Sequence, residues 1–96
     1  MNRVVFHEDD NVRLVLDFWR GRVFLHLKVK KWAPHLLALY RCGMDALRVA
    51  LTGQGYTKLE AYFSTANPRI ERFAHRFGFR TVRRTKDWVL AEVSYA

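Results

Sequence analysis

A chain of 96 residues holds one small domain, and its composition, half apolar and 15% aromatic, supplies a real core and excludes intrinsic disorder. The net charge of +8, from 12 Arg and 5 Lys against 9 acids, suits phosphate- or carboxylate-bearing partners, because guanidinium groups bind both bidentately; nucleic acid, a nucleotide cofactor and an acidic protein surface all fit. No apolar run approaches a membrane span, "MNRVVFHEDD" lacks a secretory h-region, and a lone Cys42 without Cys or His clusters excludes an internal disulfide and argues against structural zinc, so a soluble cytoplasmic protein is expected.

The elements follow in order. "RVVF" (3–6) reads as a short leading strand. "VRLVLDFW" (12–19) alternates, with Val12, Leu14, Leu16 and Phe18 on one face. "VFLHLKVKK" (23–31) alternates again, with Val23, Leu25, Leu27 and Val29 inward; Gly21 between the two makes a hairpin with one buried face. Pro34 suits the first turn of a helix whose apolar stripe is Leu36, Leu37, Tyr40, Met44, Leu47 and Leu51, ended by Gly53 and Gly55. Gly43 lies inside that helix and suggests close approach to a sheet. "KLEAYFS" (58–64) alternates as a strand, parallel to 23–31 and joined to it by a right-handed crossover. Asn67 and Pro68 then open a second helix, with Asn67 placed to accept a hydrogen bond from a first-turn amide. Ile70, Phe73, Ala74 and Phe77 form its apolar stripe, and Gly78 ends it in the left-handed conformation. "FRTVRR" and "WVLAEVSY" read as a final antiparallel pair turning near Thr85 and Lys86. The order is β-β-α-β-α-β-β, one α+β or mixed α/β domain over residues 1–96.

The stretch "GYTKLEAYFSTANPRIERFAHRFGF" carries two intervals: Gly55 to Asn67 is twelve residues, and Asn67 to Gly78-Phe79 is eleven. With the element order, they resemble the GNAT family of acyl-CoA N-acyltransferases over roughly residues 12 to 95. The resemblance implies a three-layer GNAT-like fold, here N-terminally shortened. It also implies acetyl-CoA as the cofactor of an active member, bound where strands 23–31 and 58–64 splay apart, with its pyrophosphate at the start of the long helix. Three departures stand out. The family's glycine-rich phosphate loop is replaced by "VKKWAPHLL", where Pro34 removes an amide donor. The Tyr acid that many members carry four residues before Gly-Phe is Ala74, which cannot transfer a proton. Only eleven residues precede Val12, which leaves the acceptor half to a partner chain or a second copy.

Candidate site residues follow from both readings. Val29, Lys30, Lys31, His35 and Asn67 are the candidate cofactor contacts; the lysines would supply charge in place of loop amides, and the plain alternatives are a solvated strand end and a helix cap. His75, beside the expected acid position, is the candidate catalytic group, since an imidazole titrates near neutrality. His26 reads as a surface or interface residue, and Asp17 and Glu60 as surface charges paired with Arg, with a role as base for each as the alternative. Arg72, Arg76, Arg80, Arg83 and Arg84 form the densest basic cluster, an electropositive face for a phosphate backbone, an acidic protein or another subunit. Because the departures remove catalytic parts, the expectation is a degenerate interaction or assembly module without a cofactor, similar to virion-assembly proteins of tailed bacteriophages, contacting virion proteins or a homo-oligomeric copy and no membrane. The alternatives are an active acetyl-CoA-dependent N-acetyltransferase and a basic nucleic-acid-binding protein.

Overall fold

The computed structural model describes residues 2–34 and 36–95, and of Leu36, Leu37 and Leu39 the backbone alone. Its elements are β1 (Asn2–Glu8), β2 (Val12–Trp19), β3 (Arg22–Val29), α1 (Leu36–Gly53), β4 (Lys58–Ser64), α2 (Pro68–His75), β5 (Arg80–Arg84) and β6 (Trp88–Ser94). The strands form one sheet in the order β1-β2-β3-β4-β6-β5. All neighbours are antiparallel except β3 and β4, which run parallel and are joined through α1. The leading strand is longer than 3–6 and pairs along β2, with an irregularity between Val5 and His7.

Alternation fixes the faces. Arg20 and Gly21 make a two-residue turn, φ 48° and 75°, so Trp19 faces Arg22, Leu16 faces Leu25 and Leu14 faces Leu27. Positive φ at both central residues matches the twist of the flanking strands. The even-numbered residues of β2 therefore share a face with the odd-numbered residues of β3, as the sequence pattern requires. Both helices pack on that face: Tyr40, Leu47 and Leu51 of α1 and Ala74 of α2 join Leu14, Leu16, Leu25, Leu59 and Phe63 in one core. Leu47 and Leu51 are 2% and 1% exposed, and burying each contributes about 1.5–3 kcal/mol. Leu36 and Leu37, the first two members of the expected stripe, have side chains outside the described residues.

The described residues thus fill two layers, sheet and helices. The opposite face of the sheet has no helix on it. It is closed instead by charged side chains laid over aromatics, described below.

Gly78 ends α2 at φ 89°, as expected. The amide of Phe79 donates to the Ala74 carbonyl (3.3 Å) and that of Gly78 to the His75 carbonyl (3.2 Å), the paired bonds of a left-handed C-cap. Gly43 departs from expectation. A Cβ there would meet only Phe6 Cε1, at 4.0 Å, so the close packing of α1 does not require glycine. The two glycines should respond oppositely to alanine. Gly78→Ala is expected to lower stability by about 1–2 kcal/mol through left-handed strain. Gly43→Ala should raise it by up to about 1 kcal/mol through helix propensity. Urea unfolding of both variants measures the signs.

Candidate functional site

The sheet consists of two three-stranded antiparallel halves joined along one seam. Across that seam β3 and β4 pair at only two positions, Phe24 with Glu60 and Leu25 with Ala61. Residues 26–29 and 62–64 run on beyond the pairing, so the strands part toward their C-terminal ends. On the helix face the opening is flanked by Leu27 and Phe63, which line a small apolar gap together with Tyr40 and Phe73. This is the splay expected between strands 23–31 and 58–64.

A hollow of about 520 Å3 lies at the C-terminal ends of these strands, lined by Trp32, Ala33, Pro34, Arg69, Arg72, Phe73 and Arg76. The segment after β3 supplies one wall and α2, which follows β4, supplies the other. Trp32 stands edge-on to Phe73, with centroids 5.2 Å apart, and the Arg69 guanidinium covers it at 4.0 Å. Arg69, Arg72 and Arg76 recur at three- and four-residue spacing, so they share one face of α2 while Ile70, Ala74 and Phe77 face the core. Among the described residues, none of the three has a carboxylate partner, unlike Arg84 and Arg80 further along. The first turn of α1 carries no acid of its own. Three cations and a flat aromatic give the hollow charge and shape complementary to a phosphorylated ligand with a planar group.

The candidate residues distribute unevenly. Arg72 and Arg76 line the hollow. Val29 packs against the core at the end of β3. Lys30 and Lys31 turn to the β1–β2 turn instead: Lys30 Nζ donates to Glu8 Oε2 and the Asp9 carbonyl, both at 3.0 Å, and both backbone amides donate to the Asn11 carbonyl. The cation of Lys30 is therefore held by Glu8, and α2 provides the charge at the splay. His35 lies outside the described residues. Asn67 does precede Pro68 at the start of α2, but its side chain makes no capping bond; its carbonyl accepts from Ile70 (3.3 Å). Ala74 is buried in the core. His75 contacts Thr81 Oγ1 (3.0 Å) in a network with Glu71 and Arg84, on the β5 side of α2. The arginine run divides. Arg84 reaches Glu71 on the helix face (2.6 Å), Arg80 lies near Glu92 (3.6 Å), and an irregularity between Thr81 and Arg83 separates them. Trp32 and Arg69 are not among the candidate site residues that the sequence offers. Arg69 continues the spacing of Arg72 and Arg76, but its contact with a residue 37 positions earlier leaves no local trace.

The helix-free face is the larger surprise. Asp17 and Glu60 are paired with arginines as expected, yet they are buried, at 3% and 2% exposure. Arg3 grips Asp17 with two bonds (2.7 and 2.9 Å), and His26 Nε2 sits 2.6 Å from its Oδ2. Arg22 grips Glu60 likewise (2.8 and 2.7 Å) and lies 4.8 Å over Phe24, which stacks on Tyr62 across the seam at 5.6 Å. Hydrogen bonds from Arg3 hold the Asp17 carboxyl below its usual range against the opposing pull of burial; Arg22 does the same for Glu60, and Arg84 with Thr81 for Glu71.

No family model and no curated protein matches the chain. Solved structures do. The Campylobacter jejuni N-acetyltransferase PseH superposes with a TM-score of 0.68 at 12% identity, over 90% of this chain and 60% of that one. The PaiA N-acetyltransferase of Thermoplasma acidophilum, in complex with coenzyme A, gives 0.71 at 16% identity, over 88% of this chain and 54% of that one. A structure from Desulfovibrio desulfuricans assigned to the GNAT family of acetyltransferases gives 0.70 at 21%, over 94% and 66%. The chain spans about 54–66% of the length of these proteins. The fold is therefore that of the GNAT acetyltransferases.

The depressed carboxyls set the acid response. A group whose folded pKa lies below its unfolded value contributes stability above the unfolded value and loses it as pH falls through the folded one. Stability should thus climb from strongly acidic pH to about pH 5 and then level off. Asp17→Asn and Glu71→Gln should each flatten that climb, as read from urea midpoints across the acid range.

Proposed function

We propose that this domain binds an acyl-coenzyme A, acetyl-CoA being the first candidate, and transfers the acyl group to an amine. The observation that carries the reading is the β3–β4 splay opening directly into the arginine-lined hollow. Support comes from the likeness to N-acetyltransferases, one of them solved with coenzyme A and another with acetyl coenzyme A.

The residues divide the work as follows. Arg69, Arg72 and Arg76 hold the phosphates of the donor, replacing with side-chain charge what a glycine loop offers through backbone amides. Trp32, braced by Phe73, offers a flat face to a nucleobase. The slender arm of the donor enters the splay, where Leu27 and Phe63 exclude water on the helix side. Beyond Leu25, the N–H groups on the seam side of β3 have no strand to donate to, and they polarise the thioester carbonyl. Ala74 contributes no proton. The amine carries enough hydrogens to supply the one that the departing thiolate needs.

Isothermal calorimetry with acetyl-CoA tests the reading. Micromolar binding is expected. Loss of one charge-assisted contact is worth about 1.5–3 kcal/mol, so Arg72→Ala and Arg76→Ala should each weaken binding by about 10–100-fold. Trp32→Phe should keep most of the affinity, because the brace against Phe73 survives. Absence of heat at millimolar acetyl-CoA overturns the enzyme reading in favour of an interaction module.

A further inference from the structure

Beside the splay, on the helix-free face, lies a second hollow of about 190 Å3 that the donor reading leaves unused. It is lined by Arg3, Arg13, Val15, His26, Leu27 and Lys28. His26 follows Leu25, the last residue of β3 paired with β4, so it stands between this hollow and the point where the strands part. Its side chain is 45% exposed, while that of its partner Asp17 is 4% exposed. Arg3 occupies both oxygens of Asp17, which fixes the carboxylate, and the 2.6 Å contact then fixes the ring. An anionic carboxylate only accepts, so Nε2 carries the hydrogen, and in the neutral ring Nδ1 is then the nitrogen with the lone pair. A ring oriented through one nitrogen by a fixed carboxylate, whose other nitrogen can accept a proton when the ring is neutral, is the arrangement of a general base.

The surroundings say what it serves. Three cations ring the hollow, and Arg13 Nε is buried with no hydrogen-bond partner, its nearest carboxylate oxygen, on Glu8, being 3.6 Å away. Asp17 and Glu8 offset two of these charges, and the remaining excess of one positive charge disfavours a polycation. A ligand bearing its own carboxylate or phosphate would satisfy Arg13 and be drawn by the rest.

We propose that this hollow is the acceptor site, that its substrate is a primary amine carrying a carboxylate or phosphate, and that His26 is the base that deprotonates it. The proposal rests on the acyl-CoA reading above. In the step, Nδ1 of His26 takes one proton from the ammonium group. The freed nitrogen lone pair attacks the thioester carbonyl carbon, the C–S bond breaks, and its electron pair leaves on sulfur. The second proton lost by the nitrogen goes to the thiolate, giving amide and free thiol, and His26 returns its proton to solvent. Charge and atoms balance without a further reactant.

Two independent readouts test this. First, without any coenzyme A, O-phosphoethanolamine and glutamate are titrated while the His26 ring resonances are followed by NMR, assigned through His26→Gln. Shifts with either anionic amine, and none with spermidine, are expected; the two anionic probes separate phosphate from carboxylate recognition. Second, thiol release from acetyl-CoA is measured with the same amines. His26→Gln keeps a donor for Asp17 but cannot take the proton, so kcat should fall about 100-fold with acetyl-CoA affinity unchanged. Arg13→Gln should raise KM for the anionic amine about 10-fold and leave kcat in place. Faster transfer to spermidine than to both anionic amines, or an unchanged kcat in His26→Gln, overturns the proposal. Acetyl-CoA binding with unmoved His26 resonances overturns the acceptor site and leaves the donor reading standing. Moved resonances without acetyl-CoA binding overturn the donor reading and the role as base, and keep the hollow as an anion site.

Discussion

The structure depends on one narrow seam. Two antiparallel halves, β1-β2-β3 and β4-β6-β5, meet only where β3 and β4 pair at Phe24–Glu60 and Leu25–Ala61. Two backbone positions cannot hold a sheet together by hydrogen bonding alone, since each such bond nets about 1 kcal/mol. The seam is therefore reinforced by side chains on both faces. On one, Arg22 reaches from β3 to Glu60 on β4, and Phe24 stacks on Tyr62. On the other, Leu25 and Ala61 are buried in the core with Leu47 and Leu51 of α1, the helix that joins the two strands. These reinforcements cluster at the N-terminal end of the seam. The C-terminal end is left to open, and Trp32, Arg69, Arg72 and Arg76 gather at one side of that opening and His26 at the other.

The helix-free face shows how carboxylates can be buried without a second helical layer. A buried carboxylate is costly unless paired and hydrogen-bonded. Asp17 and Glu60 each receive two bonds from an arginine, and the guanidinium of Arg22 also covers Phe24. The arginine is thus both ion partner and lid. Oδ2 of Asp17 accepts from Arg3 and still has capacity for a second donor, and His26 takes it. The same device that makes the face stable thereby makes an oriented imidazole beside the splay.

The strands and helices were legible because alternation and three-four spacing are local. Gly78 was legible because a helix stop needs only its own neighbours. Even the His26–Asp17 contact left a signal: a two-residue turn at Arg20 and Gly21 puts Asp17 opposite Phe24 and His26 opposite Val15, diagonal neighbours on one face. What stayed hidden was the depth of burial. Alternation marked Asp17 and Glu60 as facing away from the core, and nothing local says that arginines from β1 and β3 close over them. The arginine run misled for a related reason. Its members look contiguous in sequence, but strand parity and the irregularity between Thr81 and Arg83 send them to different faces. The cluster that forms instead, Arg69, Arg72 and Arg76 with Trp32, unites two segments on either side of β4.

Ala74 shows how packing and chemistry trade places in this fold. A small residue on the core stripe of α2 leaves room, and Tyr40 of α1 comes in edge-on to the two rings that flank it, Phe73 at 5.0 Å and Phe77 at 5.8 Å. The Tyr40 hydroxyl is buried and has no hydrogen-bond partner, and burial raises its pKa far above the ordinary phenol value. A proton held that tightly is poorly matched to transfer near neutral pH. Tyr40 thus fills the volume without supplying the acid, and it borders the same apolar gap as Leu27 and Phe63. The splay is walled on the helix side by groups that do not ionise near neutrality, while the only oriented imidazole beside it among the described residues lies on the opposite face. The acyl transfer proposed above therefore takes its base from the helix-free side and the leaving group's proton from the reacting nitrogen itself.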